Sequence, residues 1–319
     1  MENKMAYDLI FLVLGFVLLV KGADLFVDGA CDLSAKFRIP AYIVGMTVVA
    51  FGTSLPEAAV SITAAMQGSN EIAIGNVIGS NTFNTLVVLG ASALFAPVAV
   101  KKDILKFDFP FCILITVVLL ILLMTLNGGN LALTLIDGII LLGFFAVFMT
   151  MSVISGKKGI AEGEDEAGNA DTPVWKIVLF IIIGIAAVIA GGEATVEGAT
   201  GIAKAVGLSE TVIGLTVVAI GTSLPELVTS VVAARKNQND IAVGNVIGSN
   251  IFNILFILGV SALISDIGTD GYAIADMGIL IGIMAFTYIV CVAKKEIRKP
   301  VGILMIMMYV AYTAFLLVR

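Results

Sequence analysis

Gly52-Thr-Ser-Leu-Pro-Glu57 recurs letter for letter as Gly221-Thr-Ser-Leu-Pro-Glu226. A second stretch, Gly75-Asn-Val-Ile-Gly-Ser-Asn81, recurs as Gly244-Asn-Val-Ile-Gly-Ser-Asn250 at the same 169-residue offset. From Gly45 to Leu94 against Gly214 to Leu263, roughly thirty of fifty positions are identical, so the chain contains a repeat. In each copy a glutamate follows a proline inside an otherwise apolar segment. An ionisable group within a membrane span marks a functional site, because something must offset its desolvation. Two such groups, one per repeat, point to a transporter with one central cation site.

The rest of the chain fits that reading. Hydrophobic residues make up 59% and charged residues 13%, against about 25% charged in a soluble domain. The mean hydropathy is +1.09. A spanning helix needs about 20 apolar residues, and about ten such windows can be placed. The first half gives 7–30, 41–66, 72–97, 107–127 and 131–154, and the second gives 175–200, 210–234, 241–265, 273–293 and 300–318. The expected fold class is an all-α polytopic membrane protein of about ten transmembrane helices. The first five-helix repeat covers residues 1–155 (repeat core 45–94), an acidic linker 156–172, and the second repeat 173–319 (repeat core 214–263).

Basic residues orient the chain. Fourteen of the 18 lysines and arginines fall in or beside the connections after spans 1, 3, 5, 7 and 9. The opposite face holds only Lys4, Lys204 and Arg319, while Lys21 lies within span 1. The basic face is expected in the cytoplasm, with both termini outside and the linker inside, in the plasma (inner) membrane. A miscounted span would destroy this asymmetry. Five spans per half is odd, so the second copy enters from the opposite side and the repeats are inverted, as alternating access requires. The N-terminal apolar stretch could be taken for a signal peptide. Its copy argues otherwise, since Gly22, Asp24, Asp28 and Gly29 correspond to Gly191, Glu193, Glu197 and Gly198.

Proline within a span removes a helix donor and frees the carbonyl four residues earlier, here that of Gly52. Unwound backbone at membrane depth must line a cavity or be buried in protein, so carbonyls near Ala50 to Thr53 become candidate ligands beside Glu57. On the next span Ser80 and Asn84 are one turn apart and share a face. The second half supplies Ala219, Thr222, Ser223 and Glu226 with Ser249 and Asn253. The set is all oxygen and suits hard cations such as Ca²⁺ and Na⁺. Histidine is absent, and Cys31, Cys112 and Cys291 form no ligand spacing or obvious pair. Two carboxylates balance one Ca²⁺, whereas an empty −2 site resists crossing the bilayer, which selects exchange over uniport.

These residues resemble the calcium/cation antiporter superfamily, closest to the prokaryotic members of its sodium/calcium exchanger branch. The resemblance implies Ca²⁺ ligation by Glu57 and Glu226 with the carbonyls of Thr53 and Thr222. It also implies sodium sites using Ala50, Thr53 and Ser80 on one side and Ala219, Thr222 and Ser249 on the other. Spans 1 and 6 would be long, tilted gating helices. Many exchangers of this branch carry an aspartate at one of the positions held here by Asn84 and Asn253. Ser54 and Ser223 complete the candidate metal set. Ca²⁺ and Na⁺ are the expected substrates in a lipid bilayer, with no cofactor, no nucleic acid and no obligate protein partner.

Plainer readings stand beside these. Gly75, Gly79, Gly244 and Gly248 suit close helix packing. Pro56 and Pro225 suit simple kinks, and Asn84 and Asn253 suit interhelical hydrogen bonding. Asp24, Asp28, Glu193 and Glu197 read as solvated helix ends, and Lys21 as a residue that snorkels or pairs locally. The acidic run Ala161 to Asp171 lacks EF-hand spacing and reads as a flexible linker. Rival functions are H⁺/Ca²⁺ antiport on the same fold and a passive cation channel. An enzyme using Ser54 or Ser223 would lack any group to activate the serine.

Overall fold

A computed structural model of the protein describes residues 2–125, 131–162, 168–206, 219–269 and 271–318. Among these, eight helices are long and apolar enough to cross a membrane. A ninth crossing is the bent pair Ala41–Thr53 and Leu55–Met66. Ala219–Gly221 and Leu224–Arg235 are the repeat copy of the end of that bent pair, and the first part of the expected span 7 lies outside the described residues. The chain is an all-α polytopic membrane protein of about ten transmembrane helices in two inverted five-helix repeats.

Spans 1 and 6 are much longer than the apolar windows. Glu2–Phe37 has 36 residues and Val174–Ala205 has 32. At 1.5 Å per residue these helices are about 54 and 48 Å long, beyond a hydrocarbon core of about 30 Å. A hydropathy window closes where charges begin, but nothing in Asp24 to Lys36 breaks a helix. Span 1 stops only at Arg38, in the left-handed region at φ 55, just before Pro40.

A glycine stripe joins these two helices. Gly15, Gly22 and Gly29 recur as Gly184, Gly191 and Gly198, at seven-residue intervals in both spans. The helices run antiparallel in backbone contact. A Cβ at Gly184 would lie 2.7 Å from Phe26 Cα, one at Gly191 2.5 Å from Leu19 N, and one at Gly198 2.5 Å from Leu12 N. In lipid, where apolar contact alone gives little net drive, such small-residue seams hold helices together.

Lipid also inverts the usual burial pattern. Span 1 exposes Leu9, Phe11, Val13, Leu14 and Phe16 outward. In span 8 (Asn239–Ile264) every residue from Ile241 to Phe252 is buried. Span 8 packs against the first helix of span 2, in the other half. Its Gly244 would place a Cβ 2.5 Å from Tyr42 O, and its Gly248 one 2.6 Å from Met46 Cα. The close-packing reading of those glycines therefore holds in the second half. For Gly75 and Gly79 the matching partner, 207–218, lies outside the described residues.

Two features escape sequence periodicity. Single π-helical turns occupy Gly45–Val49, Ile104–Asp108, Asn84–Val88 and Asn253–Ile257, the last two at repeat-related positions. Such turns often accompany functional sites. Four two-residue strands lie in the connections: β1 (Val98–Ala99) pairs with β4 (Glu296–Ile297), and β2 (Ala132–Leu133) with β3 (Ile267–Gly268), all antiparallel. Each pair ties one half to the other.

At the basic end, Asp24 and Asp28 are not merely solvated. Lys236 Nζ sits 2.6 Å from Asp24 Oδ1 and 2.7 Å from Asp28 Oδ1, joining span 1 to the end of span 7. Burial would lower the Lys236 ammonium, but hydrogen bonds and charge from the two aspartates hold it above the ordinary lysine value. Hydropathy cannot reveal this pair, because its members are more than 200 residues apart in sequence. Glu193 and Glu197 stay exposed. Span 5 extends as helix to Glu162, into the stretch expected as linker. Beyond the undescribed 163–167, Asn169 N–H donates to Asp32 Oδ1 at 2.8 Å and Lys36 Nζ to Ala170 O at 3.0 Å. That end of the linker is docked on span 1 and not free.

Candidate cation site

Ser54 interrupts span 2 at φ −84 and ψ 9, and Ser223 interrupts span 7 at φ −91 and ψ 6. Proline two residues on suits the first turn of the resumed helix, where its missing N–H costs nothing. The two pieces of span 2 meet at 51°. Each break puts a glutamate in the first turn of its second helix, aimed into the protein centre, and Glu57 and Glu226 are both fully buried.

The two halves hold each other's carboxylates. Ser54 Oγ donates to Glu226 Oε1 at 2.9 Å, and Ser223 Oγ donates to Glu57 Oε1 at 3.0 Å. Ser223 Oγ also reaches Ser80 Oγ at 3.1 Å, and Ser249 Oγ reaches Glu226 Oε1 at 3.5 Å. Oε2 of each glutamate is buried with no hydrogen-bond partner among the described residues. Leaving a buried acceptor unpaired costs about 1–3 kcal/mol, more when it is charged. Such oxygens are open to a ligand.

The asparagines explain two further free oxygens. Asn84 Nδ2 donates to Asn250 Oδ1 at 3.2 Å, and Asn253 Nδ2 donates to Asn81 Oδ1 at 3.0 Å. With their amide nitrogens so fixed, Asn84 and Asn253 present Oδ1 atoms that have no partner among the described residues. Asn250 is itself held by donating to Thr85 Oγ1 at 3.0 Å. Farther out, Asn76 Nδ2 donates to Ser61 Oγ at 2.9 Å and to Glu57 O at 3.3 Å. Its copy Asn245 donates to Ser230 Oγ at 2.9 Å and accepts from Thr53 Oγ1 at 3.1 Å.

Thr53, Ser54, Glu57, Ser80, Asn84, Ser223, Glu226, Ser249 and Asn253 are all buried, with Ser54, Ser249 and Thr53 grouped around Glu226, Ser223 and Ser80 around Glu57, and Asn84 and Asn253 one turn beyond Ser80 and Ser249. Thr222 Oγ1 is buried there without a partner among the described residues. Ala50 is buried, and its carbonyl already accepts from Ser54 N–H at 3.1 Å. Ala219 opens the short helix Ala219–Gly221, but its side chain lies outside the described set. The grouping of the serines differs from expectation. Ser249, not Ser80, lies 3.5 Å from both Ala50 O and Thr53 Oγ1, while Ser80 meets Ser223. The cause is topological, since span 8 packs against the broken span of the other half.

Asn76, Asn81, Asn245 and Asn250 were not among the sequence candidates. Their signal was present, as all four lie within the duplicated GNVIGSN stretches. The glycines of those stretches explain the close packing, and helical periodicity alone assigns their amides no role.

Two buried carboxylates among oxygen donors drawn from both inverted repeats suit a secondary cation transporter, not an enzyme. Residues 7–154 and 176–318 match the family described as sodium/calcium exchanger protein, and the chain belongs to that family. It is similar to the putative antiporter CaxA of Alkalimonas amylolytica, at 38% identity over 95% of this chain and 96% of that one. It is similar also to the sodium/calcium exchanger MaX1 of Methanosarcina acetivorans, at 34% identity over 97% and 98%. A solved structure of the sodium-calcium exchanger NCX_Mj, soaked with zero Na⁺ and Ca²⁺, matches with a TM-score of 0.84 and 33% identity. It covers 98% of this chain and 99% of that one. The protein is accordingly a membrane antiporter of Ca²⁺ and other cations.

Proposed function

We propose that this antiporter exchanges Na⁺ for Ca²⁺ across the plasma membrane, at one site built on Glu57 and Glu226. The observation that carries this is the pair of buried carboxylates, each fixed through Oε1 by a serine of the opposite half, with Oε2 free among the described residues. Ca²⁺ would take those oxygens, the carbonyls of Thr53 and Thr222, and the Oδ1 atoms of Asn84 and Asn253. Sodium would use Ala50, Thr53 and Ser249 beside Glu226, and Ala219, Thr222 and Ser80 beside Glu57. One Ca²⁺ or competing Na⁺ ions neutralise the −2 charge. A bare charge near the bilayer midplane costs at least about 2.5–3.5 kcal/mol. The loaded carrier therefore reorients and the empty one does not, which enforces exchange.

In this reading residues 1–155 and 173–319 are the inverted halves, joined by 156–172. The basic end faces the cytoplasm and both termini lie outside. Spans 1 and 6 slide across the remaining helices to open either side.

The test is radioactive Ca²⁺ uptake into proteoliposomes loaded with Na⁺ and diluted into Na⁺-free buffer. Uptake should need internal Na⁺ and ignore an imposed pH gradient. Uptake driven by pH and indifferent to Na⁺ would replace this reading with H⁺/Ca²⁺ antiport, and single-channel current steps would indicate a channel. Within the site, Asn250→Leu removes the acceptor that orients Asn84. An unmet buried hydrogen bond costs about 1–3 kcal/mol, so the Ca²⁺ concentration for half-maximal uptake should rise roughly ten-fold. Wild-type Ca²⁺ dependence in that variant would remove Asn84 from the ligand set.

A further inference from the structure

A crevice of about 280 Å³ opens between span 1 and the end of span 7, lined by Val20, Lys21, Asp24, Val232, Arg235 and Lys236. Its charge is unevenly satisfied. Lys236 spends all three ammonium donors, on Asp24 Oδ1, Asp28 Oδ1 and, at 3.0 Å, the Asp24 carbonyl. Arg235 has only the face of the Phe95 ring, 5.9 Å from its guanidinium carbon, and no carboxylate partner among the described residues. Lys21 is exposed and has no hydrogen-bond or ion-pair partner among them. Three cations against Asp24 and Asp28 leave the crevice one positive charge in excess.

Lys21 also marks a boundary on span 1. Up to Leu18 the exposed side chains are large and apolar, among them Leu14, Val17 and Leu18. Beyond it charged residues enter the exposed or half-exposed surface, with Asp24, Asp28, Asp32 and Lys36 beside Leu25, Leu33 and Phe37. The crevice therefore sits where acyl chains give way to headgroups, continuous with lipid-facing surface. The internal repeat supplies a control. The copies of Lys21, Arg235, Lys236 and Asp24 are Ala190, Met66, Gln67 and Glu193, none of them basic. The excess of basic residues in cytoplasmic connections accounts for Arg235 and Lys236, but not for a lysine inside a helix.

We propose that this crevice binds the phosphate of one anionic phospholipid, with Lys21 and Arg235 as its ligands and the acyl chains along the Leu14 to Leu18 face of span 1. In the orientation proposed above, the lipid belongs to the cytoplasmic leaflet. Basic pockets between transmembrane helices hold headgroups in this manner. A phosphodiester carries the single negative charge the crevice lacks, and the apolar run favours a lipid over a free phosphate.

The test is native mass spectrometry of the purified full chain with dioleoylphosphatidylglycerol or dioleoylphosphatidylcholine added. Wild type should retain one phosphatidylglycerol about ten-fold or more tighter than phosphatidylcholine, as expected for two basic contacts near a membrane surface. Lys21→Gln with Arg235→Gln should erase that preference, Lys21→Arg with Arg235→Lys should keep it, and Lys204→Gln at the opposite end should leave it unchanged. Both target side chains are exposed, so the single variants Lys21→Gln and Arg235→Gln serve if the double variant fails to fold. Equal binding of the two lipids by wild type would overturn the proposal. So would an undiminished preference in the glutamine variants, or displacement of the lipid by millimolar inorganic phosphate.

Discussion

Glu226→Gln is expected to reduce Ca²⁺ exchange roughly 100-fold while leaving the protein folded. In the proposed cycle the variant lowers the site charge from −2 to −1, so Ca²⁺ bound there would leave one uncompensated positive charge near the membrane centre. That costs at least about 2.5–3.5 kcal/mol, and each 1.4 kcal/mol is a factor of ten. Glutamine keeps an acceptor for the Ser54 hydroxyl, which now lies 2.9 Å from Oε1, so the packing around the side chain survives. Ser54→Ala isolates the smaller orienting part. It leaves the charge intact, and an expected loss of about 1–3 kcal/mol places it between wild type and Glu226→Gln. Glu57→Gln should match Glu226→Gln, because Ser223 holds Glu57 as Ser54 holds Glu226. Uptake by Glu226→Gln within a few-fold of wild type, at unchanged thermal midpoint, would remove the carboxylate pair from the mechanism.

The legible parts of this molecule were those written twice. Duplication exposed both glutamates, the loosened backbone ahead of each proline and the inversion, and composition placed them in lipid. What stayed hidden was which helices touch. Ser249 lies beside Ala50 and Thr53, not beside its own half's threonine, because span 8 packs on span 2. A linear sequence carries that exchange only through Gly244 and Gly248, whose close approach names no partner. The Lys236 pair with Asp24 and Asp28 was hidden for the same reason. Asn81 and Asn250 were visible as repeated letters. Their role in aiming Asn253 and Asn84 depends on hydrogen bonds across the two-fold axis.

Gly191→Leu is the second substitution with a large expected effect, acting through packing and not charge. A Cβ at position 191 would lie 2.5 Å from Leu19 N, 2.8 Å from Gly15 O and 3.0 Å from Leu19 Cα. All three are backbone atoms, so no side chain can turn aside and span 1 itself must move. Overpacking a tight interior typically costs about 1–3 kcal/mol and sometimes more, and a branched side chain falls at the upper end. The same clash recurs along the seam: Gly15 faces Thr195 N at 2.6 Å and Gly22 faces Val188 N at 2.8 Å. Spans 1 and 6 are thus locked along their length, and in the proposed cycle they would slide as one body. Gly191→Leu should lower the thermal midpoint in detergent by several degrees and abolish Na⁺-driven Ca²⁺ uptake. Gly282→Ala should change neither, because a Cβ there meets nothing within 4 Å among the described residues. Wild-type stability and uptake in Gly191→Leu would mean that spans 1 and 6 are not in backbone contact, and that they are free to move separately.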